Sequence, residues 1–313
     1  MARLAAFDVG TNTVLMAVAE RRDDGRFEVL AERAEVTRLG EGVDRSRHLS
    51  PEAIDRTAAA IARFADEARR LGVTAFVAGA TSAARDAANA EELIATVLER
   101  AGIDLEILSG EAEARLTFRA VQEDFGTPEP AEGGPLCALD IGGGSTEVVL
   151  GPHRGAPTFH TSLDIGSVRL TERFVPAHPI PEAAQQALRA RVREALQTVP
   201  SPGRRCEVVA VAATATNLYA VSRNPADADK EVHGGVLTVK TLEAWLPRLC
   251  AMSLEERRRL PGLEPRRADV ICAGGWILLD ALLHLGVDRC RVSDRGVRWG
   301  LLYERFGDRA AHA

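Results

Sequence analysis

Phe7-Asp8-Val9-Gly10-Thr11-Asn12-Thr13, continued by Val14-Leu15-Met16-Ala17-Val18, decides how this chain is read, because the chain writes the phrase twice. The second copy is Leu139-Asp140-Ile141-Gly142-Gly143-Gly144-Ser145-Thr146, continued by Glu147-Val148-Val149-Leu150. Each copy has a buried strand, an Asp near its end, a reversal built from glycine and small hydroxyl or amide residues, and a second apolar strand. Glycine lets such a hairpin bring its backbone N–H groups close to an anion, as phosphate binding requires. The Asp at the strand end is a hard oxygen donor suited to a divalent cation. One Asp-Val-Gly after a strand is an ordinary tight turn. Two copies, each opening one half of the chain, predict a duplicated phosphate-handling protein, with the hairpins facing each other across a cleft.

Outward from the first copy, residues 3–9, 13–20 and 26–36 read as a three-stranded meander, with a turn at Asp23-Asp24-Gly25. Ser50-Pro51-Glu52 starts a helix, with Ser at the N-cap and Pro at the first position, and Gly72 stops it. A strand at 75–78 leads through Gly79-Ala80-Thr81-Ser82-Ala83-Ala84-Arg85-Asp86 into a helix ending near 101. A strand at 103–108 precedes a helix opened by Ser109-Gly110-Glu111 and running to about 123. Residues 126–135, dense in Pro and Gly, form the clearest break. The second half repeats the program. Strands are expected at 136–141, 145–151, 156–164, 207–212 and 290–293, and helices at 167–174, 181–198, 267–285 and 294–306. Thr214-Ala215-Thr216-Asn217 stands at a further helix start. The expected fold class is α/β with two duplicated domains, 1–125 and 126–299, each a mixed sheet flanked by helices.

At 313 residues the chain is long enough for two cores, and 46% hydrophobic with 27% charged residues describes a soluble globular protein. No apolar run reaches membrane-spanning length, and the N-terminus enters the first strand without a signal-like segment. The five cysteines are odd in number, scattered and never spaced as CxxC, which predicts free thiols in a reducing cytoplasm. A net charge of −6 disfavours a nucleic-acid polymer as partner. Arginine supplies all but Lys230 and Lys240 of the 39 basic residues, so no GKS or GKT exists and a Walker-type loop is excluded. His153 and His160 have no metal-ligand spacing and are expected at the surface.

With both hairpins placed, the chain resembles the duplicated phosphate-binding domains of the actin-like, sugar-kinase and heat-shock-chaperone superfamily. Further phrases narrow the likeness: Arg38-Leu39-Gly40-Glu41-Gly42-Val43-Asp44, Ala80-Thr81-Ser82-Ala83-Ala84-Arg85-Asp86, and Leu108-Ser109-Gly110-Glu111-Ala112-Glu113-Ala114. So do Ile165-Gly166-Ser167-Val168-Arg169-Leu170-Thr171-Glu172 and Ser293-Asp294-Arg295-Gly296-Val297-Arg298. They resemble, in order, the exopolyphosphatase / guanosine pentaphosphate phosphohydrolase family in its short two-domain form. The resemblance implies two ribonuclease-H-like (actin-like ATPase) halves with the active site in the cleft between them, and a C-terminal helix, about 300–313, packed back on the first half. It implies hydrolysis of the terminal phosphate of inorganic polyphosphate or of pppGpp, dependent on Mg²⁺ or another divalent cation such as Mn²⁺. Family members often dimerise, so a homodimer is a possible assembly.

Glu113 matches the family's catalytic glutamate and is the candidate to position or deprotonate the attacking water. Glu111, two residues earlier, reads as an acid complementing the helix dipole. Asp8, Asp140 and Glu147 are the candidate metal ligands. The backbone of Thr11, Asn12 and Thr13 and of Gly142, Gly143, Gly144 and Ser145 would meet phosphate oxygens, helped by the Thr13 and Ser145 hydroxyls. Arg85 matches a family arginine and suits bidentate phosphate binding. Arg38, Arg169 and Arg298 are further basic candidates, with ordinary salt bridges as their alternative. Three departures from the family pattern are Ala212-Ala213 in place of Gly-Gly, Trp299 in place of an acid, and Trp276 in place of a small residue. They favour polyphosphate over a guanosine substrate. Alternatives from other classes are a kinase of the same superfamily and a non-catalytic (p)ppGpp or polyphosphate sensor.

Overall fold

A computed structural model describes residues 2–23, 26–126, 133–223 and 231–307. Positions 24–25 of the expected turn, 127–132 of the expected linker and 308–313 of the returning C-terminus lie outside the described residues. The chain forms two compact units, Met1–Ala120 with Val297–Ala313, and Val121–Gly296.

The first unit runs β1 (Ala2–Val9), β2 (Thr13–Arg21), β3 (Phe27–Val36), α1 (Val43–Ser46), α2 (Pro51–Arg70), β4 (Ala75–Ala80), α3 (Ser82–Asp86), α4 (Ala90–Ala101), β5 (Leu105–Ile107) and α5 (Gly110–Phe125). The last turn of α5 belongs to the second unit, which continues with β6 (Leu136–Ile141), β7 (Thr146–Gly151), β8 (Phe159–Leu163), α6 (Ser167–Phe174), α7 (Glu182–Leu196), β9 (Glu207–Val211) and α8 (Ala212–Ser222). It closes with β10 (Val236–Thr238), α9 (Val239–Ala251), α10 (Leu254–Arg258), α11 (Ile271–Leu285) and β11 (Arg289–Ser293). Helix α12 (Val297–Leu302), ending in a π turn at Tyr303–Gly307, counts with the first unit.

The duplication extends to sheet topology. The first sheet is ordered β3-β2-β1-β4-β5, with an antiparallel meander β1-β2-β3 and β4 and β5 added in parallel. The second is β10-β11-β9-β6-β7-β8, again an antiparallel meander β6-β7-β8 with β9 and β11 in parallel beside it. Removing β10 leaves the same order and the same directions. Both sheets therefore have the mixed, helix-flanked form expected of ribonuclease-H-like halves.

Strand alternation sorts the first core onto two faces. Ala5, Phe7 and Val9 with Val14, Met16 and Val18 pack against Ile54, Ile61 and Ala65 of α2 and Leu93 and Val97 of α4. Leu4, Ala6, Ala17 and Ala19 line the other face, under Leu116 of α5 and Val297, Leu301 and Leu302 of α12. The small alanines let α12 lie close, and a Cβ at Gly300 would overlap the Leu116 backbone. In the second unit, α11 is apolar on nearly every face and packs with α7 and the β6-β9 strands in one core.

Ser50 caps α2 as expected, accepting from Ala53 N at 3.2 Å, with Pro51 at the first position. The short helices α1 and α3 were not expected, and neither were β10, α9 and α10. Strand β10 is too short to show alternation, whereas α9 and α10 carried readable caps: Thr238 accepts from Thr241 N, and Ser253 with Glu256 forms a capping box. Helix α11 begins at Ile271, four residues later than expected, behind a 3₁₀ turn at Pro265–Arg267. The division inside α5, where 125/126 was expected, also has a local cause. Gln122 donates to the carbonyls of Pro152 and Gly155 at 2.9 Å, and Asp124 pairs with Arg295 at 2.9 Å, so this turn packs with the second unit.

All five cysteines are buried and free. Burial pushes the Cys290 thiol up to about 12. His153, expected at the surface, is buried at 5% exposure, because its loop packs against the last turn of α5.

Candidate active site

In the first unit the parallel strands β1, β4 and β5 end in register, with Val9 opposite Ala80 and Ala80 opposite Ile107. Whatever follows each strand meets at one carboxyl edge, where α/β sheets place ligands. After β1 comes the reversal Gly10-Thr11-Asn12-Thr13, closed by Gly10 N donating to Thr13 O at 3.0 Å. After β4 comes Thr81 and α3, carrying Arg85, and after β5 comes the first turn of α5, carrying Glu113.

The orientation of the reversal follows from peptide planarity. Gly40 N donates to Thr11 O at 2.8 Å, and Thr37 N and Arg38 N both donate to Asn12 O at 3.0 Å. In a trans peptide the N–H points opposite to the C=O. The N–H groups of Asn12 and Thr13 are therefore directed away from the 37–40 segment. Gly40 makes this packing possible, because a Cβ there would overlap the Thr11 side chain. Arg38 adopts φ 53°, a left-handed conformation that turns its N–H onto Asn12. Thr11 and Asn12 are 6% and 5% exposed, and Thr11 Oγ1 and Asn12 Nδ2 have no hydrogen-bond partner among the described residues.

Arg85 and Glu113, matched separately from the sequence, touch. Arg85 Nη1 donates to Glu113 Oε2 at 3.0 Å and to Leu108 O at 2.9 Å. Glu113 is 6% exposed. Both Nη1 hydrogens are thus used, leaving Nε and Nη2 of the guanidinium for another acceptor. Glu111 is exposed in the first turn of α5, as its dipole role predicts.

The second unit repeats the edge with other chemistry. Gly142 N donates to Ser145 O at 3.0 Å, the counterpart of the Gly10–Thr13 bond. Ser167 N donates to Gly142 O, Val168 N and Arg169 N to Gly143 O, and Arg169 Nε to Gly144 O at 2.6 Å. By the same planarity argument, the N–H groups of Gly143, Gly144 and Ser145 point away from α6. Gly166 permits this approach, since a Cβ there would overlap Gly143. Asp140 stands directly opposite Glu147 across the antiparallel pair, whereas Asp8 stands opposite Leu15. Asp140 and Glu147 are 6% and 1% exposed, and Ser162 Oγ donates to Glu147 Oε1 at 2.7 Å. Two carboxylates directly opposed in a sheet repel each other, and a cation relieves that repulsion. Among the described residues no group of three or more His, Cys, Asp or Glu could hold a metal. A centre here would be Mg²⁺-like, with one or two carboxylates and the remaining positions left to water and phosphate.

The structure brings Asp8, Thr11, Asn12, Thr13, Arg85 and Glu113 to one edge of the first unit, and Asp140, Gly142, Gly143, Gly144, Ser145 and Glu147 to one edge of the second. Two further basic candidates have side chains engaged elsewhere, and a third is engaged through its backbone. The Arg169 side chain supports the Gly144 carbonyl, the Arg38 backbone supports Asn12, and Arg298 is buried against Glu32 at 2.9 Å. Trp299 joins the first core and donates from Nε1 to the same Glu32 oxygen at 2.9 Å. Trp276 joins the second core beneath the Arg189 guanidinium, 4.4 Å from its ring. Neither tryptophan lies at the edges, so the substrate preference drawn from them is withdrawn. Of the three departures only Ala212, at φ 70°, stands at an edge.

Ser162 was missed, because only strand register places it beside Glu147. Asp124 and His233 were missed too. His233 Nδ1 lies 2.9 Å from Asp294 Oδ1, and Asp124 binds Arg295, which fixes the Ser293-Asp294-Arg295-Gly296 loop at the end of β11. Burial holds the Asp124 carboxyl above its ordinary range, against the opposing pull of Arg295 and His233.

The sequence pattern of the Ppx/GppA phosphatase family matches residues 18–308. Exopolyphosphatase 2 of Mycobacterium tuberculosis is 33% identical over 330 aligned residues, covering 98% of this chain and 99% of the relative. The crystal structure of the Aquifex aeolicus Ppx/GppA family member superposes with a TM-score of 0.80 at 31% identity, covering 100% of this chain and 99% of that one. An exopolyphosphatase-like protein of known structure gives a TM-score of 0.87 at 27% identity, with 99% and 98% covered.

Proposed function

The chain belongs to the Ppx/GppA phosphatase family, and on that premise we propose that it is an exopolyphosphatase, releasing the terminal phosphate of inorganic polyphosphate by divalent-metal-assisted hydrolysis. The observation that carries this is the buried, unsatisfied pair Thr11 Oγ1 and Asn12 Nδ2 on the same sheet edge as the Glu113–Arg85 pair. A buried donor without an acceptor costs about 1–3 kcal/mol, and a phosphate oxygen removes that cost.

The amides of Asn12, Thr13, Gly143, Gly144 and Ser145 bind phosphate oxygens, with the Thr11, Thr13 and Ser145 hydroxyls beside them. Arg85 offers Nε and Nη2 to the terminal phosphate while Nη1 holds Glu113 in place. Glu113 accepts a proton from the water that attacks the terminal phosphorus. The bridging P–O bond breaks, and the shortened chain leaves with its new terminal oxygen. Asp140 and Glu147 would hold Mg²⁺, which would supply charge neutralisation on the phosphate oxygens, and Asp8 is the corresponding strand-end acid of the first unit. Beside the candidate base and metal-ligating carboxylates, these edges present amides, hydroxyls and the Arg85 guanidinium, all of them phosphate-recognising groups. Polyphosphate offers nothing but phosphate.

Phosphate release is to be measured with Mg²⁺ and with EDTA, on short polyphosphate, long polyphosphate and pppGpp. Metal-dependent turnover of polyphosphate that collapses in Glu113→Gln supports the proposal. Preference for pppGpp would move the substrate to the nucleotide branch of the family. Binding of any of the three without turnover would make the protein a sensor.

A further inference from the structure

The second unit has a cavity of about 360 Å³ with no place in the hydrolytic chemistry above. It opens where β9 and β11 begin, between Gly134 ahead of β6 and the Val287–Arg291 segment. The phosphate-binding reversal follows the other end of the same parallel strands. Glu207 is in register with Leu136, and Val211 with Asp140, so about 13 Å of strand separates the two ends. The cavity is therefore a separate site.

Its lining divides by chemistry. Cys206, Val208, Val287 and Cys290 make an apolar floor, each less than 9% exposed. Arg204, Arg205, Arg289 and Arg291 line the cavity with Glu207 and Asp288, four guanidiniums against two carboxylates. Arg291 is held by Glu207 at 3.4 Å and by the Phe125 ring at 4.5 Å. Arg289 reaches Asp288 only at 3.9 Å, with both side chains exposed. Arg204 and Arg205 record no ion pair or hydrogen bond among the described residues. This local excess of positive charge stands on a chain whose net charge is −6.

We propose that this cavity binds a nucleoside polyphosphate, its base on the apolar floor and its phosphates on Arg204, Arg205 and Arg289. A volume of 360 Å³ lies within the range of small-molecule sites. A bare phosphate chain would leave the valine and cysteine floor unused, and an uncharged apolar molecule would leave the arginines uncompensated. A molecule with both parts uses both walls. Guanidinium groups suit phosphate because they donate in pairs.

The test is calorimetric titration of the full chain with ADP, pyrophosphate and adenosine in EDTA, which sets aside metal-dependent binding, and a binding signal is assigned to the cavity only where Arg204→Ala/Arg205→Ala removes it. ADP should bind at least tenfold more tightly than either fragment. The double variant Arg204→Ala/Arg205→Ala, both exposed positions, should weaken ADP at least tenfold and leave polyphosphate hydrolysis unchanged. Val236→Trp, a cavity-lining position half exposed on β10, should block ADP by filling the space. Asp140→Asn should leave ADP binding as it is. Pyrophosphate binding as tightly as ADP would overturn the nucleoside assignment. ADP binding that is absent, or indifferent to both cavity variants, would overturn the site. Neither result touches the hydrolase proposal, which is read from phosphate release.

Discussion

Gly10-Thr11-Asn12-Thr13 and Gly142-Gly143-Gly144-Ser145 close with the same bond at the same length, 3.0 Å, and both are held from behind by a segment containing a close-packed glycine. Around that shared backbone the side chains are opposite in kind. The first copy carries buried donors at Thr11 and Asn12, with the Arg85–Glu113 pair on the same edge, and sets Leu15 against its strand-end Asp8. The second has no side chain on three loop positions and sets Glu147 against Asp140. Duplication has preserved the aligned amides, the groups proposed above to bind phosphate, and has let the side chains around them diverge. On this view the first copy handles the phosphate terminus and the water, and the second handles the cation.

That division can be broken most sharply at Glu113. Glu113→Gln keeps the shape and the Arg85 contact but cannot accept a proton, and a general base contributes about 10²–10⁴-fold. We expect kcat to fall by about 10³-fold with little change in KM. A drop of less than tenfold would remove Glu113 from the water and leave it as a partner of Arg85.

The second copy is tested through its carboxylates. Glu147→Gln should raise the Mg²⁺ concentration needed for half-maximal activity by about 100-fold, and Ser162→Ala, which frees the Glu147 carboxylate to rotate, by about tenfold. Without metal, Glu147→Gln should not destabilise the fold, because it removes like-charge repulsion with Asp140. An unchanged metal requirement with lost stability would make Glu147 a structural acid. The matching change in the first copy is Asn12→Ala. It should raise KM for polyphosphate about tenfold and leave the metal requirement alone, since one charge-assisted hydrogen bond is worth about 1.5–3 kcal/mol. If Asn12→Ala moves the metal dependence instead, the division between the copies fails.

How much of this was legible in the sequence depended on range. The hairpins, the parallel strands and the caps of α2 are written in a few adjacent residues each, and local propensity agrees with the fold there. The Arg85–Glu113 contact was half legible: each residue was named, but their meeting is set by β4 and β5 ending in register. Ser162, Asp124 and His233 were silent, because their neighbours lie 15 to 171 residues away in the chain. Trp299 and Trp276 misled, since a bulky residue in a motif looks like a change in specificity until it is found inside a core. The division within α5 was invisible for a similar reason: helix periodicity does not record which unit its last turn packs against.

The smallest effect expected concerns the residue that follows the first parallel strand of each crossover. In the first unit Thr81 follows β4 with a negative φ of −109°; in the second Ala212 follows β9 with φ 70°. A left-handed alanine costs about 1–2 kcal/mol relative to the right-handed region, whereas glycine adopts it freely and gives back part of the gain through unfolded-state entropy. Ala212 is only partly buried, so removing its methyl leaves no core cavity. Ala212→Gly should therefore stabilise the protein by about 0.5 kcal/mol, raising the thermal midpoint by about 1–2 °C. A lowered midpoint would mean that the methyl packs against this edge strongly enough to hold the strain. In that case the edge of the second unit is tuned by side-chain contact after all, and the contrast with the first copy narrows to its carboxylates.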